Sequence, residues 1–298
     1  MSDSVIARVW RLPAGRIGLV IAAAVLATAA VALVWTPFDP QRTDVEIRWQ
    51  LPSWPHLLGT DATGRDILSL LMAGARTTVV VAVGAGIIAT VLGLVLAALG
   101  ALTPRLVRES VAVVVDVLIA FPVLLIAMMI TAVWGGSLWV VIVAMGIGFG
   151  VNIARVTRPE LRRVLLSDVV LAGRAAGLTP AQNLWRHLLP NVLPVFIVQL
   201  SWGMAVAVLA EAGLSYLGFG APVTDASWGL LLSQLQQYIS VYPLSVVWPG
   251  LAISLTVLGL NLLGDALREA TDPLLRASGG SASRARTHVP GGVAGAWR

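Results

Sequence analysis

The sequence predicts an all-α membrane protein with six transmembrane helices and both termini in the cytoplasm. Three observations carry this. Of 298 residues, 57% are hydrophobic and only 12% are charged, whereas a soluble domain carries about 25% charged residues. Six stretches reach the roughly 20 mostly apolar residues that a helix needs to cross the hydrocarbon core. The arginines, finally, segregate to one side of those stretches. The same composition excludes disorder, nucleic-acid binding and an ordinary cytosolic enzyme. All 20 basic residues are arginine, with no lysine and no cysteine, and His56, His187 and His288 lie far apart. Without lysine there is no Walker A loop and no Schiff base. Without cysteine there is no disulfide and no thiolate nucleophile or ligand. If ATP is used, another chain must bind it.

In chain order, residues 1–16 form a cytoplasmic N-terminus carrying Arg8, Arg11 and Arg16, and Ile17–Trp35 is the first span. Its apolar run exceeds the ~7–15 residues of a signal-peptide core, so it reads as an uncleaved span, with cleavage as the alternative. Residues 36–76 form an extracytoplasmic loop in which Thr60 or Asp61 caps a short amphipathic helix containing Ile67, Leu68, Leu70 and Leu71. That helix is expected to lie on the outer surface and feed into span two. The later spans are Thr77–Leu102, Val107–Trp134, Leu138–Val156, Val192–Leu214 and Pro243–Leu267, within a core over residues 77–275. Small residues such as Gly84, Gly86, Gly146, Gly148 and Gly150 suit close helix packing. With the N-terminus inside, sixteen of the twenty arginines fall in the cytoplasm. Residues 276–298 read as a disordered basic tail.

Two loops are too structured to be connectors. In the outer loop 215–242, Trp228, Leu231, Leu232, Leu235 and Ile239 share one helical face opposite Ser233, Gln236 and Gln237. An uncharged polar face suits either a membrane boundary or a soluble partner. The cytoplasmic loop 157–190 lies in a segment, Arg155 to Pro190, that holds six arginines against Glu160 and Asp168. A first helix is expected to end at Gly177, Thr179 to cap a second with Pro180 at its first position, and Pro190 to stop that helix before span five. Helix, glycine turn and helix form a rigid cytoplasmic protrusion that a connector would not need.

Ionisable groups in spans are costly and mark function by default. Glu211, near the outer end of span five, is a pathway or gate candidate with Ser215 and Asp116; a structural bond to a neighbouring helix is the other reading. For Asp116 and Asp265 a hydrogen bond near the inner interface is the favoured one.

The segment around Gly177 resembles the EAA motif of permease subunits in bacterial ATP-binding-cassette (ABC) importers. Ala172 holds the first alanine, Gly177 the glycine and Leu189-Pro190 the closing pair, while Leu171 stands in the glutamate position and Gly173 in that of the second alanine. Leu58-Gly-Thr-Asp-Ala-Thr-Gly-Arg-Asp66, Asp116-Val-Leu-Ile-Ala-Phe-Pro122 and Glu211-Ala-Gly-Leu-Ser-Tyr-Leu-Gly218 are similar to the dipeptide/oligopeptide/nickel branch. Together with Ser227-Trp-Gly229, Pro249-Gly250 and Asn261–Arg268, they resemble its C-type permease across residues 50–275. The resemblance implies the type I ABC importer permease fold and a peptide substrate, with nickel, haem or another solute as the alternative. It implies a B-type permease partner, two ATPase domains holding ATP and Mg²⁺, an extracytoplasmic substrate-binding protein, and no cofactor on this chain. ATPase coupling would fall to Ala172, Gly173, Arg174, Gly177, Leu178, Thr179, Gln182, Leu189 and Pro190. Leu171 cannot supply the glutamate's polar contact, which places the interface on the Gly177 turn, Thr179, Gln182 and nearby arginines. Two rivals fare worse. A proton-coupled secondary transporter would show a repeat between halves, and an intramembrane hydrolase would show Gly-x-Ser-x-Gly, whereas Gly213-Leu-Ser215 is followed by glycine one residue too late.

Overall fold

A computed structural model describes residues 5–222 and 224–271; the expected tail lies outside them. Among the described residues helices dominate and no strand forms. The elements are α1 (Val5–Arg11), α2 (Pro13–Val31), a 3₁₀ turn (Val45–Ile47), α3 (Ile67–Leu102), α4 (Arg105–Ala120) and α5 (Val123–Trp134). There follow α6 (Leu138–Leu165), α7 (Asp168–Ala175), α8 (Pro180–Asn183), a π turn (Leu184–Leu188), α9 (Leu189–Tyr216), α10 (Trp228–Gln236) and α11 (Pro243–Thr271). Five of these helical stretches are long and apolar enough to cross a membrane, and α4 with α5 makes a sixth span bent by 75°.

Three expectations change. Span three is broken, not continuous. Proline at 122 disfavours helical backbone at the residue before it, and Phe121 is extended at φ −93°, ψ 129°. The first span starts earlier than expected, with Pro13 at its first turn, and ends at Val31. The outer-surface helix does not exist as a separate element. Nothing between Ile67 and Thr77 breaks a helix, so those residues become the first turns of the 36-residue α3. Its cap is Asp66, whose Oδ2 accepts from the Ser69 backbone N–H at 2.8 Å. Thr60 and Asp61 serve the preceding loop instead: Asp61 Oδ1 accepts from the backbone N–H groups of Thr63 and Arg65 at 2.8 and 3.0 Å.

The centre of the bundle is the α3–α6 pair with α9 against both. Small residues decide this packing: a Cβ on Gly146 would lie 2.6 Å from Ile88, one on Gly93 2.7 Å from Ile153, and one on Gly150 2.9 Å from Leu92. Gly148 admits Val123 of α5 in the same way. On the other side α2 lies along α11, where a Cβ on Gly18 would meet the Leu263 backbone at 2.7 Å. Apart from Val115, no residue of α4 is buried, so the broken span presents most of its surface away from its own chain.

The outer end is closed by side chains. Ser227 caps α10, which lays Trp228, Leu231 and Leu235 into the bundle against α3 and α11. Its apolar face is therefore spent internally, on neither a membrane boundary nor a partner, and Ile239 lies beyond the helix and exposed. Trp228 Nε1 donates to the Leu71 carbonyl at 2.8 Å. Arg65, paired with Asp61 at 2.7 Å, also donates to Gln234 Oε1 at 2.9 Å and ties the first outer loop to α10.

Candidate functional site

The protrusion between α6 and α9 is built locally. Gly177, at φ +81°, takes the left-handed conformation that ends α7. Its N–H donates to the Arg174 carbonyl at 3.0 Å and that of Leu178 to the Gly173 carbonyl at 3.0 Å, the paired bonds of a Schellman motif. Three residues on, Gln182 N–H donates to Thr179 Oγ1 at 3.2 Å while Thr179 N–H donates to Gln182 Oε1 at 2.8 Å. This is a reciprocal capping box. Both ends of the expected turn are thus present, and Thr179 and Gln182 are its closing pair.

Pro190 does not stop the second helix. It has no N–H and its ring crowds the preceding turn, and the chain answers by widening that turn. Leu189 N–H reaches back five residues to the Leu184 carbonyl, and the helix runs on unbroken into span five. Asn191 Nδ2 donates to the His187 carbonyl at 2.6 Å. Leu189 and Pro190 therefore join the protrusion to the span instead of separating them. At its base Val170 and Leu188 pack with Leu161, Val164 and Val192 in one buried cluster, which fixes α7 to α6 and α9.

Gly173 is buried because Asn183 lies on it: a Cβ there would come within 2.4 Å of Asn183 Oδ1. The alanine-to-glycine departure is accordingly a packing requirement of this loop. Asn183 itself is buried with neither side-chain polar atom bonded among the described residues, a contact the spacing gave no sign of. Ala172, Arg174, Gly177, Thr179 and Gln182 are all exposed. So are Leu171 (51%) and Trp185 (70%), two large apolar side chains among these polar ones.

The other predicted residues lie apart from this loop. Glu211 is buried on α9, and its Oε1 accepts from the hydroxyls of Ser215 and Ser227 at 2.7 and 2.8 Å. Ser215 Oγ in turn accepts from the Ala221 N–H at 2.9 Å. Together they fasten the segment that enters α10. Neither Asp116 nor Asp265 makes the expected hydrogen bond among the described residues, and both are exposed. Asp116 instead lines a recess shared with Arg155, Arg158 and Arg162, the last two beyond the expected end of span four at Val156. Sequence reading also missed the outer-loop core, where His56 Nδ1 lies 2.9 Å from Asp66 Oδ1 and its ring stacks on Phe38 at 4.4 Å.

Comparison with known proteins decides the family. Residues 89–277 match the model for binding-protein-dependent transport system inner membrane components. The chain belongs to this family. The permease is 35% identical over 272 residues, 91% of its own length and 92% of the relative's, to a Brucella suis protein named for a peptide transport system permease. It is 34% identical to the nickel transport system permease protein of Escherichia coli K12, covering 87% and 94% of the two chains. It is also 34% identical to the dipeptide transport system permease protein of Alkalihalophilus pseudofirmus, covering 87% and 86%. In three dimensions it resembles a chain of the MetNI methionine ABC transporter in an inward-facing conformation, with a TM-score of 0.55, 21% identity, and 69% and 98% of the two chains covered. The fold is that of an ABC importer permease, and the permease is a multi-pass inner-membrane protein.

Proposed function

We propose that this chain forms half of the translocation path of an ATP-driven peptide importer, with a B-type permease supplying the other half. The cytoplasmic protrusion docks in a groove of one of two ATPase domains, which hold ATP and Mg²⁺, while this chain is non-catalytic. An extracytoplasmic binding protein delivers the substrate to the outer face. Both termini lie in the cytoplasm. The observation that carries this reading is the rigidity of the protrusion. The Schellman turn at Gly177 and the capping box of Thr179 and Gln182 fix its shape, and the Val170–Leu188 cluster fixes it to α6 and α9. Force applied to such a lever moves two spans as bodies.

Contact would be made by Arg174, Thr179 and Gln182 together with the apolar side chains of Leu171 and Trp185. Burial of those two offsets the missing glutamate, since a buried large apolar side chain is worth about 1.5–3 kcal/mol. At the outer end Glu211 and Ser215 act as a gate by holding the segment before α10. Asp116 is the corresponding candidate at the inner end.

The test uses the assembled transporter. With Gln182→Cys as the only cysteine of this chain, a short bifunctional reagent is expected to cross-link it to the ATPase, in a yield that changes when ATP is added. In proteoliposomes carrying the binding protein, a labelled dipeptide is expected to accumulate with ATP and without sensitivity to an uncoupler. No cross-link, or uptake abolished by the uncoupler, contradicts the reading; accumulation of nickel instead of the dipeptide reassigns the substrate.

A further inference from the structure

Near the end of the bundle where α3 turns into α4, the structure has a recess of about 200 Å³ between α3, α4 and α6. Arg155, Arg158 and Arg162 line it from α6, at the i, i+3, i+7 spacing that places them on one helical face. Asp116 is the single acid in its lining, so the recess carries a net charge of about +2. Arg158 is half-buried, its Nε donating to the Gly100 carbonyl at 3.1 Å, which anchors the guanidinium against the end of α3. Arg155 and Arg162 are exposed, and neither has a hydrogen-bond or ion-pair partner among the described residues. Apolar side chains, Leu96 and Val115 among them, form the opposite wall.

Three features point to the kind of ligand. Guanidinium forks match the oxygens of a phosphate in a bidentate geometry. The net charge of about +2 attracts an anion and exceeds the single negative charge of a phosphodiester. The recess lies near the end of α3 that the proposed topology puts in the cytoplasm, with Leu96 six residues before that end and hence about 9 Å from it. Basic pockets between transmembrane helices at the cytoplasmic surface are where anionic headgroups bind. We propose that this recess seats the phosphate group of an anionic phospholipid of the cytoplasmic leaflet, with Arg155 and Arg162 gripping the oxygens, Arg158 positioned beside them and the acyl chains along α4. Asp116 limits the affinity by offsetting one of the three charges.

The inference requires the orientation proposed above but neither the substrate nor the coupling role. Labelling of single cysteines from each side of the membrane tests the orientation separately. The direct test reconstitutes the assembled transporter into nanodiscs made from an equal mixture of phosphatidylcholine and phosphatidylglycerol, and counts retained phosphatidylglycerol by native mass spectrometry. Arg155→Gln and Arg162→Gln are each expected to lower retention about fivefold. Asp116→Asn is expected to raise it, a gain that damaged folding does not produce. Inorganic phosphate in large excess is expected to leave the lipid in place. Retention equal to wild type in all three variants overturns the proposal. Displacement by inorganic phosphate reassigns the site to a soluble anion and overturns the lipid assignment. A carboxylate of the partner permease found in the recess, in a structure of the complex, overturns both.

Discussion

Single residues in this permease act mainly through what their neighbours can no longer do without them. Glu211 is the clearest case. Two hydroxyls, Ser215 and Ser227, donate to one of its oxygens in a buried site. Glu211→Gln retains a carbonyl acceptor of the same shape, whereas Glu211→Leu strands both hydroxyls at about 1–3 kcal/mol each. The expected result is near-normal thermal stability for Glu211→Gln and loosening of residues 215–236 for Glu211→Leu, read as faster hydrogen exchange in that segment alone. Equal exchange in the two variants would show that the site does not hold the outer loop. Gly173 follows the same logic on the inner side. The motif position is legible in the sequence, but the reason for glycine is visible only once Asn183 is seen packed on it.

At the scale of elements, the turn between α7 and α8 is secured by two independent devices, the left-handed Gly177 and the Thr179–Gln182 box. Replacing a capping threonine by alanine costs about 1 kcal/mol, and Gln182→Ala removes the reciprocal bond. The double variant Thr179→Ala/Gln182→Ala is therefore expected to fray α8 while leaving α6 and α9 intact. Hydrogen exchange over residues 178–184 is expected to rise by about tenfold, with uptake per ATP hydrolysed falling in parallel; unchanged exchange would mean that packing alone holds the helix. Element boundaries also show where sequence reading ran out. Glycine and threonine announced the turn because their signals are local. Proline misled at 190, where one turn of the helix widened to absorb it, yet broke span three at 122. Whether a helix breaks at proline depends on what surrounds it: Leu188, beside Pro190, is buried in the cluster at the base of the loop, while Phe121 is exposed. Similarly, the apolar face of α10 was evident from spacing, but its target was its own bundle, a long-range contact that periodicity does not encode.

For the whole molecule, orientation joins the parts. Sixteen of twenty arginines lie on one side in the proposed topology, and the chain has no cysteine of its own, so single introduced cysteines report their side directly. Ser53→Cys is expected to react with an impermeant maleimide in intact cells and Arg174→Cys only after lysis; the reverse pattern would invert the topology. Six spans and the capped protrusion between α6 and α9 could be read from hydropathy and turn residues because those properties are set by lipid and by local backbone. The Asp116–arginine recess could not, because it depends on how a bent span lies against α6.

In the proposed mechanism a rigid turn on this chain transmits ATPase motion to the spans, and Gly177 sets the shape of that turn. A Cβ there would meet no atom within 4 Å among the described residues, so the first effect of a substitution falls on the backbone conformation. Asparagine tolerates the left-handed conformation, whereas a β-branched residue does not. The measurement is the ratio of peptide taken up to ATP hydrolysed in proteoliposomes of the assembled transporter. A ratio near wild type is expected for Gly177→Asn and a loss of at least about tenfold for Gly177→Val, an energy of roughly 1.4 kcal/mol, with the complex still assembled and hydrolysing ATP. Wild-type coupling in Gly177→Val would contradict that mechanism.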